Sequence, residues 1–179
     1  RCKVGVDYHG EYRVDWTNSL SEGLENPIIH STFGYAAQMV ILDAESGVVI
    51  KVVAAHDVGR AVNPLLCEGQ VEGAVHMGLG YALSEGFPCD ENGRPLNETL
   101  RSLDILRPKD MPDVDVILVE AAEPNSPYGI KGVGEIGLVP TAGAVAAAMH
   151  AKDGQWRNEL PLVNEANRER AAGWVGQLS

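Results

Sequence analysis

One carboxylate in the sequence lies in a setting that suits proton transfer. Glu135 closes the glycine-rich segment 128–135, YGIKGVGE, and its neighbours are glycines and apolar residues. A carboxylate so placed is expected to be largely desolvated, which suits it to accept a proton from a bound nucleophile. It could equally form an ion pair with the nearby Lys131 on a turn, and the residues alone leave both interpretations open.

The glycines around this carboxylate imitate a nucleotide-binding motif. Gly132, Gly134 and Gly137 fit the pattern G-x-G-x-x-G. In a dinucleotide-binding unit that pattern follows a strand directly and opens a helix. Here an irregular stretch precedes it, Pro140 interrupts before the next helix, and Glu135 would bring negative charge to the place of the pyrophosphate. We therefore expect no dinucleotide site.

Gln70 is a second candidate, within a predicted helix. It lies one turn from Gly73 and two turns from Met77, on a face that is mostly apolar, where a buried amide would need partners. A glutamine at the edge of the surface is an equally open interpretation. Each glycine inside the helix costs about 1 kcal/mol relative to alanine, so close packing or a bulky ligand must offset Gly69, Gly73, Gly78 and Gly80.

Charge and cysteine usage exclude several classes of function. Fourteen basic and twenty-five acidic residues give a net charge of −11, which opposes binding to nucleic acid or to an anionic membrane. The three cysteines, Cys2, Cys67 and Cys89, form no C-x-x-C pair, so the chain is expected to hold neither a metal nor an iron–sulfur cluster by itself. The first residues contain no apolar export signal, which predicts a cytoplasmic protein.

The elements that position these residues begin with a hairpin. Tyr35–Leu42 and Val48–Ala55 are rich in strand-forming residues, and segment 43–47 joins them with Gly at its end. Lys51 is the only charge in the second strand, so most of that strand is expected to be covered on both faces. The pair His56-Asp57 at its end is interpreted as structural.

A long helix is predicted next. Asn63 caps the first free amides and Pro64 occupies the first turn, and the helix is expected to run to about Glu85 with Gly86 as a left-handed stop. A loop with one short strand follows, between Pro88 and Pro112.

The remaining elements are a strand and a short helix. The strand is predicted at Val114–Ala121, and Thr141 is expected to cap an Ala-rich helix that ends at about Ala151. The fold class is therefore α+β, a mixed α/β arrangement of the hairpin and a further strand with a long Gly-containing helix and a short Ala-rich one. The expected divisions are an irregular segment 1–32, a domain 33–162 and a polar tail 163–179.

Three blocks in the chain carry a resemblance to a known family. In order they are 57–64 (DVGRAVNP), 68–80 (EGQVEGAVHMGLG) and 128–135 (YGIKGVGE). Together they resemble the C-terminal part of the molybdopterin-binding catalytic subunit of the xanthine dehydrogenase and aldehyde oxidase family, over roughly Phe33 to Leu162. The resemblance implies that Glu135 is the general base and that Gln70, with Gly134 of the third block, contacts the cofactor.

The same resemblance implies a molybdenum hydroxylase of the xanthine dehydrogenase type (EC 1.17). Such an enzyme hydroxylates a purine-like heterocycle or an aldehyde using water. Its molybdenum–molybdopterin cofactor would be shared with the rest of a longer subunit, and iron–sulfur clusters and FAD are expected on partner chains or domains. The isolated chain is expected to be inactive. Many family members have Pro after the catalytic Glu where this chain has Ile136, which leaves the substrate class open.

Two other classes of function stay open. The chain could be a non-catalytic isolated fragment or module of such a subunit. It could also be an unrelated anion-binding α/β module, whose glycine-rich loop holds an anion through backbone amides.

Overall fold

The structure, a computed structural model, describes residues 3–12, 14–97 and 99–162. By internal contacts the chain divides into two units, Arg1–Phe33 and Gly34–Ser179. The first unit contains the short 3-10 helix Leu20–Glu22, whose start is capped by the Ser19 side chain. The predicted polar tail, 163–179, lies outside the described residues.

A three-stranded sheet forms the framework of the second unit. Strands β1 (Ala36–Leu42) and β2 (Val49–Asp57) pair antiparallel, and β3 (Asp113–Val119) pairs parallel to β2, so that β2 is central. The predicted hairpin and the further strand are therefore confirmed. In the hairpin turn the Asp43 carboxylate accepts hydrogen bonds from the backbone N–H groups of Glu45 and Ser46, which is the usual role of Asp in turns.

Helix α1 (Pro64–Leu83) crosses over between the two parallel strands. Its start is as predicted, with Asn63 Oδ1 accepting from the Leu66 N–H at 3.2 Å. The end of the helix differs from the prediction. The helix is capped by Ser84, with φ −136° and ψ −34°, and Gly86 has no left-handed conformation. The predicted glycine stop is wrong because the Ser84 hydroxyl donates to Asp104 O at 2.7 Å, a tertiary bond that fixes the cap two residues earlier.

Helix α2 (Thr141–Asp153) confirms the Ala-rich helix but not its predicted cap. Pro140 holds the cap position and Thr141 is the first helical residue, buried and donating from Oγ1 to Gly137 O at 3.1 Å. The short strand expected between Pro88 and Pro112 is absent from the described part of that loop. Two 3-10 helices, Leu100–Leu103 and Pro108–Asp110, lie there instead.

Both helices pack on the same face of the sheet. Val52 and Ala54 of β2 are fully buried there, in one cluster with Val75 of α1 and Val145 of α2. The expectation that β2 is covered on both faces is met on this side only. On the other face Val53 and its neighbours Lys51 and Ala55 are half-buried, because neither helix lies over them.

The observed class is α+β, as predicted from the order of the elements. Within the described ranges, neither helix has the length and apolar character needed to cross a bilayer.

A glycine contact sets the separation of the two helices. A Cβ built on Gly78 would lie 2.5 Å from Thr141 Cβ, and Thr141 is fully buried at the start of α2. Gly73, five residues earlier on α1, has open space where its Cβ would be. The cost of glycine in α1 is therefore offset by close packing at one position and not at the other.

Replacing these two glycines should give opposite results. Gly78→Ala is expected to lower the free energy of unfolding by about 1–3 kcal/mol, because the added methyl group overpacks a buried contact. Gly73→Ala, the matched control, is expected to raise it by about 0.5–1 kcal/mol through helix propensity. Urea unfolding followed by circular dichroism measures both. Equal effects of the two variants would contradict the packing role of Gly78.

Candidate active site

The glycine-rich loop that carries Glu135 runs from Lys131 to the start of α2. It follows a single 3-10 turn, Pro127–Gly129, and not a strand, and the residues before Thr141 are turns and not helix. This confirms that the pattern G-x-G-x-x-G does not form a dinucleotide-binding turn here, since that turn must join a strand directly to a helix.

A buried ion pair fixes the entry to the loop. Lys131 Nζ lies 2.6 Å from Asp57 Oδ2, with only 9% and 6% of the two side chains exposed. Asp57 Oδ1 also accepts from the N–H groups of Gly59 at 3.0 Å and Ala121 at 3.4 Å. Asp57 therefore joins the segments that follow β2 and β3 to the first residue of the loop.

The same contacts govern the protonation of Asp57. Burial would raise the pKa of this carboxyl group, but the hydrogen bond and positive charge of Lys131, together with the Gly59 and Ala121 N–H groups, outweigh burial. They hold the pKa of Asp57 below its ordinary value. Asp57 is thus a structural anchor, in agreement with the interpretation of the His56-Asp57 pair.

This ion pair decides one alternative left open by the sequence. Lys131 is committed to Asp57, and among the described residues no ion pair joins it to Glu135. The interpretation of Glu135 as the partner of Lys131 is therefore wrong, because the lysine side chain turns inward to the end of β2 while Glu135 lies on the exposed side of the loop.

The exit of the loop rests on α1 and β1. A Cβ built on Gly137 would lie 2.7 Å from Ala74 Cβ and 3.3 Å from the Val71 backbone, so only glycine lets the loop approach the helix this closely. The Gly137 carbonyl accepts from Gln38 Nε2 at 2.6 Å and from Thr141 Oγ1 at 3.1 Å. The loop is therefore held at both ends.

A cavity of about 250 Å³ opens between this loop and α1. It brings together all three residues that the sequence marked, Gln70 from the helix and Gly134 and Glu135 from the loop. The rest of its wall is Gly69, Gly73, Ala74, Met77 and Leu138. Added Cβ atoms on Gly69, Gly73 and Gly134 would meet nothing within 4 Å, so the glycines leave backbone accessible to a ligand.

Glu135 and Gln70 are both exposed at this cavity. The expected desolvation of Glu135 is therefore not met by this chain. The physical reason is the direction of two apolar neighbours: Ile136 packs against Gly34 and Val133 packs against the hydrophobic core, so neither covers the carboxylate. Gln70 likewise is not a buried amide, and the alternative of a glutamine at the edge of the surface is the one observed.

Sequence reasoning missed Gln38 and the partner of Lys131. Gln38 did carry a signal, because it is a polar residue on the strand face that also bears the buried Val40, and such a residue needs a partner. Nothing in the sequence could name that partner, since Gly137 is 99 residues away.

A family model and several relatives match large parts of the chain. The sequence model of a family described as a molybdopterin cofactor-binding domain matches residues 2–112. That range contains Gln70 and ends before Gly134 and Glu135. The gamma subunit of the 6-hydroxypseudooxynicotine dehydrogenase complex of Paenarthrobacter nicotinovorans is 34% identical over 155 residues, which is 83% of this chain and 19% of that protein.

Another relative and a solved structure are similar to more than two thirds of the chain. A probable xanthine dehydrogenase subunit of Bacillus subtilis is 37% identical over 136 residues, 75% of this chain and 18% of that protein. The crystal structure of quinoline 2-oxidoreductase from Pseudomonas putida 86 is similar with a TM-score of 0.61 and 30% identity, over 68% of this chain and 16% of that one.

The aldehyde oxidoreductase of Desulfovibrio gigas is similar with a TM-score of 0.62 and 29% identity, over 72% of this chain and 14% of that one. The chain thus spans less than a fifth of the length of each of these relatives.

Breaking the Asp57–Lys131 pair should strongly destabilise the fold. Asp57→Asn leaves a buried ammonium group without its counter-charge, and we expect the free energy of unfolding to fall by about 3–5 kcal/mol at pH 7. Because the pKa of Asp57 is lowered in the folded state, the stabilisation is present above the ordinary aspartate pKa of about 3.9 and is lost as the pH falls through the folded value. Urea unfolding of both proteins across pH 2–7 tests this.

The matched control is the exposed pair of Lys51 with Asp115, whose side chains are 36% and 56% exposed. Asp115→Asn should change the unfolding free energy by at most about 1 kcal/mol. Comparable losses in the two variants would show that the burial of Asp57 is not what makes its ion pair important.

Proposed function

This chain belongs to the xanthine dehydrogenase and aldehyde oxidoreductase family of molybdopterin-binding proteins, and we propose that it forms one wall of the active site of a molybdenum hydroxylase, with Glu135 as general base. The observation that carries the proposal is the cavity between α1 and the glycine-rich loop. Gln70, Gly134 and Glu135 are distant in sequence, yet all three line it.

The residues of the cavity fit a molybdenum–molybdopterin cofactor. Glycine at three positions of the wall leaves backbone groups open to a large polar ligand, and the Gln70 amide can both donate and accept a hydrogen bond. Gln70 and Gly134 would hold the cofactor from this side. When bound, the cofactor supplies the redox chemistry and takes up the electrons removed from the substrate.

The role proposed for Glu135 is proton transfer. Glu135 lines the cavity and forms no ion pair with Lys131, so its carboxylate would be available to accept the proton released when water is added to an electron-poor carbon. In the complete subunit, further segments would close over the carboxylate and exclude bulk water. The exposure of Glu135 in this chain is what an open half of such a site would have.

The proposed substrate class is a purine-like heterocycle or an aldehyde. Relatives are named for xanthine, quinoline and aldehyde chemistry, and these compounds share an electron-poor carbon. Ile136 takes no part in selecting among them in this proposal, because its side chain packs inward on Gly34.

We also propose that activity requires a larger assembly. The remainder of the molybdopterin subunit would complete the cofactor site, and partner chains or domains with iron–sulfur clusters and FAD would carry the electrons away. The naming of relatives as subunits of complexes supports this arrangement. The isolated chain would then be inactive, and an unrelated anion-binding module is disfavoured by membership of the family.

Glu135→Gln in the complete enzyme should abolish turnover. Loss of a general base costs about 10²- to 10⁴-fold in rate, while the amide keeps the shape of the side chain, so the molybdenum content should stay at the level of the unmodified enzyme. Steady-state kinetics and metal analysis measure the two quantities. Glu72→Gln, an exposed glutamate of α1 outside the cavity, is the control. Normal turnover of Glu135→Gln would contradict the assignment of Glu135 as general base.

Gln70→Ala should act on the cofactor instead. Removal of the amide takes away one polar contact, so we expect a lower molybdenum content or a lower rate per molybdenum, and no change in the unfolding of the apoprotein because Gln70 is exposed. Metal analysis combined with thermal unfolding separates these effects. An unchanged metal content together with an unchanged rate would rule out the contact.

A further inference from the structure

Gln38 is a polar side chain on the face of β1 that packs against the rest of the unit. Its neighbours on that face are Val40, which is 8% exposed, and Ala54 across the strand pair, which is fully buried. The side-chain oxygen of Gln38 is buried without a partner among the described residues. An apolar residue would satisfy this packing position, so the amide must contribute something else.

What the amide contributes is a short bond to the glycine-rich loop. Gln38 Nε2 donates to Gly137 O at 2.6 Å. The orientation of the amide follows from this bond, because the opposite flip would place two carbonyl oxygens against each other. His56 Nε2 lies 3.3 Å from the same nitrogen, and burial lowers the pKa of His56 so that the ring is neutral and can accept.

The Gly137 carbonyl is consequently held from two elements. Gln38 reaches it from β1 and Thr141 Oγ1 reaches it from the first turn of α2. A carbonyl oxygen has two lone pairs, so both acceptor positions are used. The backbone at Gly137 is also pressed against Ala74 of α1, which leaves it little room to shift.

We propose that Gln38 is a positioning residue for Glu135, an inference that rests on the proposed role of Glu135 as base. Gly137 lies two residues beyond the carboxylate; on the other side Val133 packs against the hydrophobic core and Lys131 is held in its ion pair. A Cβ added to Gly132 or Gly134 would meet nothing within 4 Å, so at these two positions no side-chain packing restrains the backbone on the N-terminal side of Glu135. The Gln38 bond therefore sets the position of Glu135 at the cavity.

The role predicts a particular kinetic signature. Gln38→Met keeps the length of the side chain and removes the donor, and Gln38→Asn keeps the amide but is one methylene too short to reach Gly137. In the complete enzyme both variants should lower kcat per molybdenum by about 10- to 100-fold, with KM changed less than about twofold, because misplacement of a catalytic group affects the chemical step. Met39→Leu, on the opposite and exposed face of β1, is the control.

A second measurement reports on the loop without depending on activity. Leu138 N–H bonds to Glu135 O and Thr141 N–H bonds to Leu138 O, each at 3.1 Å. Hydrogen exchange of a peptide that contains these amides should become faster in Gln38→Met, while exchange in β2 stays as in the unmodified protein.

The possible outcomes separate the two proposals. Unchanged kcat per molybdenum in both Gln38 variants overturns the positioning role. A loss of activity that disappears after normalisation to molybdenum content also overturns it, because that result indicates only a structural role. Unchanged exchange at Leu138 and Thr141 overturns the claim that Gln38 holds the loop. Normal turnover of Glu135→Gln overturns the base assignment itself, whatever the Gln38 variants do.

Discussion

The arrangement of this chain depends on one buried carboxylate. Asp57 stands at the end of β2, and its two oxygens bind the N–H groups of Gly59 and Ala121 and the ammonium group of Lys131. The parallel pair β2 and β3 ends at this point, and ligand sites of α/β proteins form beyond the carboxyl ends of parallel strands. By joining the segments after both strands to the start of the glycine-rich loop, Asp57 decides where that loop begins.

The second constraint is the close approach of backbones. Gly137 brings the end of the loop against Ala74, and Gly78 brings α1 against Thr141. Both contacts lie on neighbouring turns of α1, and together they set the distance between the loop and the helix. These contacts hold the loop next to α1, and the cavity lined by Gly134, Glu135 and Gln70 opens between the loop and the helix.

The resulting surface is open, and this openness bears on function. The carboxylate and the amide proposed to act are exposed, while the residues that hold them in place are buried, among them Asp57, Thr141 and Val71. Rigid support beneath an accessible polar surface is what a wall of a larger site requires. The chain spans less than a fifth of the length of its relatives, and the proposed chemistry depends on segments that would face this wall.

The sequence by itself determined the local structure. Runs of strand-forming residues located all three strands, and Asn63-Pro64 marked the start of α1. The order of three short blocks carried the resemblance to the family and contained the residues that line the cavity. These features are encoded within a few neighbouring residues, so they can be predicted from a single chain.

Only the tertiary structure decided what each polar group contacts. The partner of Lys131 proved to be Asp57, 74 residues away, and that of Gln38 is Gly137, 99 residues away. The end of α1 lies at Ser84 because of a hydrogen bond to a distant carbonyl, and Glu135 is exposed because Val133 and Ile136 pack inward. Burial and pairing are properties of the packed chain, and sequence periodicity reports which face of an element is apolar but not what packs against it.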